Sequence, residues 1–195
     1  YTDAPLLGSP VVGDLDNNGD EEIVIAGYPA NDGSQGGLFA FSSDGQRLGG
    51  WPVLLEESFA STPALADFDG DGDLEILIAG WRTRKVHMVH HDGFEAVGWP
   101  VGPILRAHPK SNPVIGDVNG DGRPDAVFGA PGQWAHAVSA GDLLIVGGIK
   151  AWTSEGKPID LNPHKDLTAL VMEGTGGSFL RTSPPVLADL DGDGL

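Results

Sequence analysis

Cysteine is absent from the 195 residues, which excludes a disulfide scaffold, a thiolate metal site and a cysteine nucleophile. Basic residues are scarce: 11 Lys and Arg stand against 28 Asp and Glu, for a formal net charge of −17. A sequence pI near 4.4 speaks against a nucleic-acid binder, which needs a basic face to neutralise phosphate. No apolar run approaches the roughly 18 residues of a membrane-spanning helix. Helical periodicity is nearly missing as well, with Asp166–Glu173 the one short stretch to consider. No signal peptide is visible and the chain opens on Tyr1, so the expectation is a processed product or a piece of a longer chain.

What the chain does have is punctuation and apolar residues. It carries 30 Gly and 15 Pro without a three-residue period, so collagen is excluded and many short strands joined by turns are expected. A hydrophobic share of 40% is ample for a core and argues against disorder.

A repeat organises the whole sequence. Ser9-Pro10-Val11-Val12-Gly13-Asp14, Thr62-Pro63-Ala64-Leu65-Ala66-Asp67, Asn112-Pro113-Val114-Ile115-Gly116-Asp117 and Pro184-Pro185-Val186-Leu187-Ala188-Asp189 align without gaps, their aspartates spaced 53, 50 and 72 residues apart. The third unit therefore carries about 20 extra residues, expected within Gly132–Asp142 and Pro163–Gly177. Apolar runs follow at Glu22–Gly27, Glu75–Gly80 and Asp125–Ala130, and third strands are expected at Gly37–Phe41, Lys85–His90 and Leu143–Trp152. Turns at Asp44-Gly45, Asp92-Gly93 and Glu155-Gly156 lead into a fourth strand. The first two units share Gly50-Trp51-Pro52-Val53 and Gly98-Trp99-Pro100-Val101, where the third has Lys157-Pro158-Ile159.

Four antiparallel strands in about 50 residues is the arithmetic of a β-propeller blade. The small Gly13, Ala66, Gly116 and Ala188 then belong on innermost strands, where sheets crowd around the axis. A β-sandwich or β-solenoid is the alternative. The expected fold class is all-β, with three complete blades at about 9–60, 61–110 and 111–182 and the first strand of a fourth at about 183–195. Such an array cannot close by itself, since the smallest propellers need four blades. The remaining blades are expected from the parent chain or from a neighbouring subunit.

The chemistry lies between the first and second strands. The loops run Asp14–Glu22, Asp67–Glu75 and Asp117–Asp125, with a shortened copy at Asp189–Leu195. Oxygen side chains recur at loop positions 1, 3, 5 and 9, and Gly stands at 6. Alternate residues of a tightly curled loop point inward. Ca²⁺ takes six to eight oxygens, and Gly at 6 allows the chain to fold back over the ion. Position 7 varies because it would offer its backbone carbonyl, and the acid at 9 closes the shell. An EF-hand closes at position 12 between helices, so only the ion-binding logic is shared. Without an ion, two charges about 5 Å apart cost on the order of 3 kcal/mol at an effective dielectric of 20. These loops hold 16 of the 28 acids. The remaining acids nearly balance the bases, so the acidity belongs to the loops.

The segment Pro113-Val-Ile-Gly-Asp117-Val-Asn-Gly-Asp-Gly-Arg-Pro-Asp125-Ala-Val-Phe-Gly-Ala-Pro131 resembles an FG-GAP repeat of the integrin-α type, and the other units resemble the related VCBS variant. The resemblance implies a calcium-stabilised, extracellular adhesion or ligand-binding propeller. It also implies ligands at positions 1, 3, 5, 7 and 9. In the first loop these are Asp14, Asp16, Asn18, Asp20 and Glu22, and in the second Asp67, Asp69, Asp71, Asp73 and Glu75. The third has Asp117, Asn119, Asp121, Arg123 and Asp125, and the fourth Asp189, Asp191 and Asp193, which stops before position 9. Three complete Ca²⁺ sites are expected, with a fourth only if further chain or a partner completes it.

The expected role is a non-enzymatic scaffold that binds a protein or glycan at one rim, secreted or on the cell surface. The alternatives are the propeller part of a polysaccharide lyase or hydrolase, and a fibre subunit assembled in trans. Trp51 and Trp99 read as inter-blade packing residues. Trp81 with Arg82 and Arg84, and Trp134 with His136, break the repeat and are candidates for a ligand surface. His90-His91 beside Asp92 reads as a solvated turn, with a transition-metal site as the other option. No Gly-x-Ser-x-Gly elbow is present, and Gly174–Ser178 lacks the Lys and helix of a phosphate loop.

Overall fold

The computed structural model describes residues 8–27, 36–55, 57–102, 112–118, 120–130, 135–139, 142–145 and 148–159. Within them the chain is all-β. The first sheet holds β1 (Val11–Gly13), β2 (Glu22–Gly27), β3 (Gly37–Ser42) and β4 (Val53–Leu54), in that order and antiparallel throughout. The second holds β5 (Ala64–Ala66), β6 (Glu75–Ala79) and β7 (Val86–Val89). Its fourth strand shrinks to a single bridge between Val86 and Val101. The third sheet pairs β8 (Val114–Gly116) with β9 (Asp125–Ala130) and β9 with β12 (Gly148–Trp152), and ends on a bridge from Trp152 to Pro158.

One expectation needs correcting. Leu143–Trp152 is not one strand. Asp142–Ile145 (β11) pairs with Ala135–Ser139 (β10) as a separate hairpin, and only β12 joins the blade. The inserted residues thus extend a two-stranded arm between β9 and β12, which the β-rich, Gly-bounded sequence could not distinguish from one long strand. The suggested helix Asp166–Glu173, the segment Pro163–Gly177, Trp134 and the fourth unit lie outside the described residues.

The sheets stack as propeller blades. The inner strands are neighbours, β1 beside β5 and β5 beside β8. A Cβ on Gly13 would approach Leu65 Cδ1 and Leu74 Cδ1 to 3.0 Å, which explains the small residue near the axis. Two apolar layers fill the spaces between blades. In one, Leu15, Val24, Ala26, Leu38, Ala40 and Trp51 of blade 1 meet Ile76, Ile78 and Val89 of blade 2. In the other, Phe68, Leu77, Ala79, Val86, Met88 and Trp99 of blade 2 meet Ala126, Phe128 and Trp152 of blade 3. The facing residues occupy equivalent register positions, because strand alternation sends every second side chain to the same face.

A polar latch repeats with this packing. The Trp51 indole N–H donates to the His91 carbonyl at 3.1 Å, and that of Trp99 donates to the Ser154 carbonyl at 2.8 Å. The preceding Gly50 and Gly98 are left-handed, and a Cβ there would clash with Asp92 O and Glu155 O. Each Gly-Trp-Pro turn therefore lies backbone to backbone on the acid-Gly turn of the next blade. A second ladder runs near the axis, where Ser9 N donates to Thr62 Oγ1 and Thr62 N to Asn112 Oδ1. Trp99→Ala is expected to cost about 3–5 kcal/mol in urea denaturation, the range for emptying a buried aromatic site. Trp81→Ala, in a half-buried turn outside both apolar layers, should cost clearly less.

Candidate metal centre

The acidic loops join the first and second strands of each blade. Their position-1 carboxylate organises the curl. Asp14 accepts the N–H groups of Asn18 (3.0 Å) and Gly19 (2.9 Å). Asp67 accepts those of Gly70 (2.6 Å) and Gly72 (3.1 Å). Asp117 accepts those of Gly120 and Gly122, each at 2.7 Å. Charge-assisted bonds of this kind are stronger than neutral ones, so they hold the anion at the mouth of the loop. Position 5 repeats the device on position 7: Asn18 accepts Asp20 N, Asp71 accepts Asp73 N and Asp121 accepts Arg123 N.

Glycine at position 6 is left-handed in all three loops, as its recurrence predicts, with φ of 94° at Gly19, 98° at Gly72 and 84° at Gly122. Position 4 is left-handed too, in Asn17, Gly70 and Gly120. Its signal was present in the sequence, since Asn and Gly are the residues that enter this region at least cost.

The acid at position 9 begins the second strand and is buried in each of the three described loops, with 3% exposure for Glu22 and 1% for Glu75 and Asp125. One oxygen of each accepts the position-2 N–H: Leu15 to Glu22 at 2.9 Å, Phe68 to Glu75 at 2.8 Å and Val118 to Asp125 at 3.0 Å. Buried carboxylates of this type are held by partners or by cations.

Two groupings of carboxylates follow. Asp14, Asp16 and Glu22 bring oxygens within 4.8 Å of one another, and so do Asp67, Asp69 and Asp71. The donor sets are all oxygen, the chemistry of a hard cation. Such clusters fit a metal ion on the donors present. Asn119, Asp189, Asp191 and Asp193 lie outside the described residues. The Arg123 side chain turns away to Glu155, 3.5 Å distant, which leaves its backbone as the group the loop can use.

Blade 2 differs from its neighbours. His90 Nδ1 lies 2.9 Å from the second oxygen of Glu75, and His91 Nδ1 lies 3.1 Å from Asp73. Asp69, Glu75 and His90 form a third grouping within 4.8 Å. The same register position holds Ser42 in blade 1 and Thr153 in blade 3, and both hydroxyls bond the turn acid instead. The His pair is therefore not merely a solvated turn. Burial pushes the Glu75 carboxyl above its ordinary range and Asp69 adds to this, while the N–H of Phe68 and the His90 contacts oppose. A cleft of about 270 Å³ opens beside it between blades 2 and 3, lined in part by Met88, Val97 and Arg123.

Adjacent loops touch. Leu74 N, at position 8 of the second loop, donates to Leu15 O, at position 2 of the first, at 2.9 Å. A Cβ on Gly72 would meet Asn17 Nδ2 at 2.7 Å. Anything that stiffens one loop is thus passed to the next.

Antiparallel order puts the Trp81–Arg84 turn at the opposite rim. It is anchored by Glu57, which sequence reasoning missed because a lone acid in a connector has no periodic signature. Glu57 is 3% exposed. It accepts the N–H groups of Ser58, Arg82 and Thr83 and the hydroxyl of Thr83. Trp81 N donates to Ser58 O at 2.7 Å. His87, also buried, has Nε2 3.9 Å from Glu57 and Nδ1 2.7 Å from Glu95. Arg84 is left-handed at φ 62°, a local cost of order 1 kcal/mol that the anchored turn offsets.

Comparison with known proteins agrees with this architecture. No curated protein matches the chain. Among solved structures, the V. cholerae biofilm matrix protein Bap1 shares the fold with a TM-score of 0.51 and 20% identity. The match covers 80% of this chain and 30% of that one, so the chain spans less than a third of that protein's length. The profile of the FG-GAP-like repeat matches residues 14–78 and 67–128. Both matches begin on the first aspartate of an acidic loop and together they cover more than half of the sequence. The chain belongs to the FG-GAP-like repeat family.

Proposed function

We propose that this chain is a calcium-stabilised part of a β-propeller, acting outside the cell as a scaffold for adhesion or for a protein or glycan ligand, without catalysis of its own. Its blades occupy about 9–60, 61–110 and 111–182, with a fourth beginning near 183. Ca²⁺ would be held by positions 1, 3, 5, 7 and 9 of the first three loops. The fourth loop, Asp189, Asp191 and Asp193, would need completion by further chain.

One observation carries the reading. Three loops in the same register each end on a buried closing acid, the first two bring carboxylate oxygens together, and those two touch across a blade boundary. Hard cations fit that donor set, and millimolar extracellular calcium suits loops with largely exposed mouths. Similarity to a biofilm matrix protein supports an extracellular setting. Ligands would be met at the opposite rim, where the Trp81–Arg84 turn and the β10–β11 arm depart from the repeat.

Calorimetric titration of metal-free protein tests this. Ca²⁺ is expected to fill the loops, with loop 2 weaker than loop 1 because His90 holds the second oxygen of Glu75. His90→Ser should tighten loop 2 severalfold, and Asp67→Ala should abolish it. Absence of any calcium heat at millimolar concentration would overturn the proposal.

A further inference from the structure

The third grouping, in blade 2, differs in kind from the two that calcium fits. Asp14, Asp16 and Glu22 offer oxygen alone, and so do Asp67, Asp69 and Asp71. Asp69, Glu75 and His90 offer two carboxylates and an imidazole nitrogen, all within 4.8 Å of one another. Oxygen donors suit Ca²⁺ and Mg²⁺, whereas imidazole suits Zn²⁺ and its transition-metal neighbours.

Strand register puts the imidazole there. Ile76 pairs with Val89, so Glu75 and His90 stand opposite each other one step further along β6 and β7, as Glu22 and Ser42 do in blade 1. The Ser42 hydroxyl bonds Asp44 and the Thr153 hydroxyl bonds Glu155. In blade 2 the turn acid Asp92 accepts the Phe94 N–H at 3.1 Å instead, and His90 is directed to Glu75.

A second feature, outside the loop, points to an occupant. All three residues line the 270 Å³ cleft between blades 2 and 3, so their donors border open space. Arg123, which also lines it, is held by Glu155 at 3.5 Å. The cleft is several times the roughly 30 Å³ share of one water molecule, which is room for an ion and the waters that complete its shell.

The spacing suits a small tetrahedral ion. Zinc bonds of about 2.0–2.2 Å to nitrogen and oxygen set neighbouring donors about 3.3–3.6 Å apart. His90 Nδ1 and Glu75 Oε1 lie 2.9 Å apart, so a shift of about half an ångström opens the pair to that separation. Glu75 Oε2 keeps the Phe68 N–H at 2.8 Å, an outer contact of the kind that orients a ligand carboxylate.

We propose that Asp69, Glu75 and His90 form a zinc site, with water from the cleft as the fourth ligand. The site goes beyond the calcium reading and competes with it. Asp69 and Glu75 are also positions 3 and 9 of the second calcium loop, so blade 2 holds one ion or the other. Blade 1, with Ser42 in place of His90, holds calcium regardless of zinc.

Metal-free protein is titrated with Zn²⁺ by calorimetry, first without calcium and then in saturating calcium. One zinc site of blade 2 is expected, with its apparent affinity lowered by calcium. His90→Ser installs the residue that blade 1 carries. It should weaken zinc by more than about 100-fold, since losing a ligand costs more than the 10–100-fold of losing an outer-shell partner. Asp71→Asn, in the oxygen set but outside the histidine one, should weaken calcium in loop 2 and leave zinc binding unchanged. Matching circular dichroism of the metal-free proteins establishes that both variants are folded. Nitrogen-15 spectra of the histidine rings should show Nδ1 of His90 displaced by zinc in the wild type.

Absence of zinc binding, equal zinc affinity in wild type and His90→Ser, or a His90 Nδ1 resonance unmoved by zinc would each overturn the site. Failure of the calcium reading looks different: zinc then binds as described, and saturating calcium leaves its titration unchanged.

Discussion

Adding EDTA to the calcium-loaded protein is expected to lower its melting temperature by on the order of 20 °C. A ligand at a hundredfold excess over its Kd stabilises the folded state by about 2.7 kcal/mol, so three filled loops would contribute about 8 kcal/mol. That is comparable with the whole stability of a typical domain, about 5–15 kcal/mol. Without the ion, the loop carboxylates repel one another, and the position-1 bonds to backbone N–H groups offset only part of that repulsion. The effect should exceed a local loss, because Leu74 N bonds Leu15 O across the first boundary. Scanning calorimetry with and without chelator gives the result. Coincident melting curves would remove calcium from the account, whatever the fate of the fold.

The second large effect belongs to Glu57, far from the loops. Burial alone would raise its pKa, but the His87 side chain, the Thr83 hydroxyl and the N–H groups of Ser58 and Thr83 together hold it at about 2, against an ordinary 4.5. A depressed carboxyl contributes stability above its unfolded value and loses it as pH falls through the folded one. The contribution is on the order of 3 kcal/mol at neutral pH. It starts to decline below about pH 4.5 and is gone by about pH 2. Glu57→Gln replaces one acceptor oxygen with an amide donor facing N–H groups, so it should cost about 3 kcal/mol at pH 7. The gap between wild type and variant should narrow by about 1 kcal/mol by pH 3.5. Urea denaturation in saturating calcium measures both values, and a gap independent of pH would refute the role given to this carboxylate.

Much of the architecture was legible because it repeats. The Pro-x-x-Gly/Ala-Asp starts, the acidic loops and the Gly-bounded apolar runs recur at nearly constant spacing, and repetition turns weak local signals into a register. Position 4 of the loop was legible but overlooked, although Asn17, Gly70 and Gly120 carry the composition of a left-handed residue. The packing role of Trp51 and Trp99 was also readable from their fixed place beside Pro. The inserted arm was not, since β11 and β12 lie in one nearly continuous apolar run and only pairing separates them.

By itself the sequence determined the blade as a unit: strand order, turn positions, the oxygen-rich loops and the buried second strand all follow from interactions within about ten residues. Tertiary structure decided which faces are covered and which acids acquire partners. Ile76 and Ile25 look alike in the sequence, yet only Ile76 is sealed by a neighbouring blade. His90 meets Glu75 from 15 residues away, and Glu57 meets Thr83 from 26. Such contacts depend on how twisted sheets stack, a geometry set by the sum of many packing contacts rather than by any local run of residues.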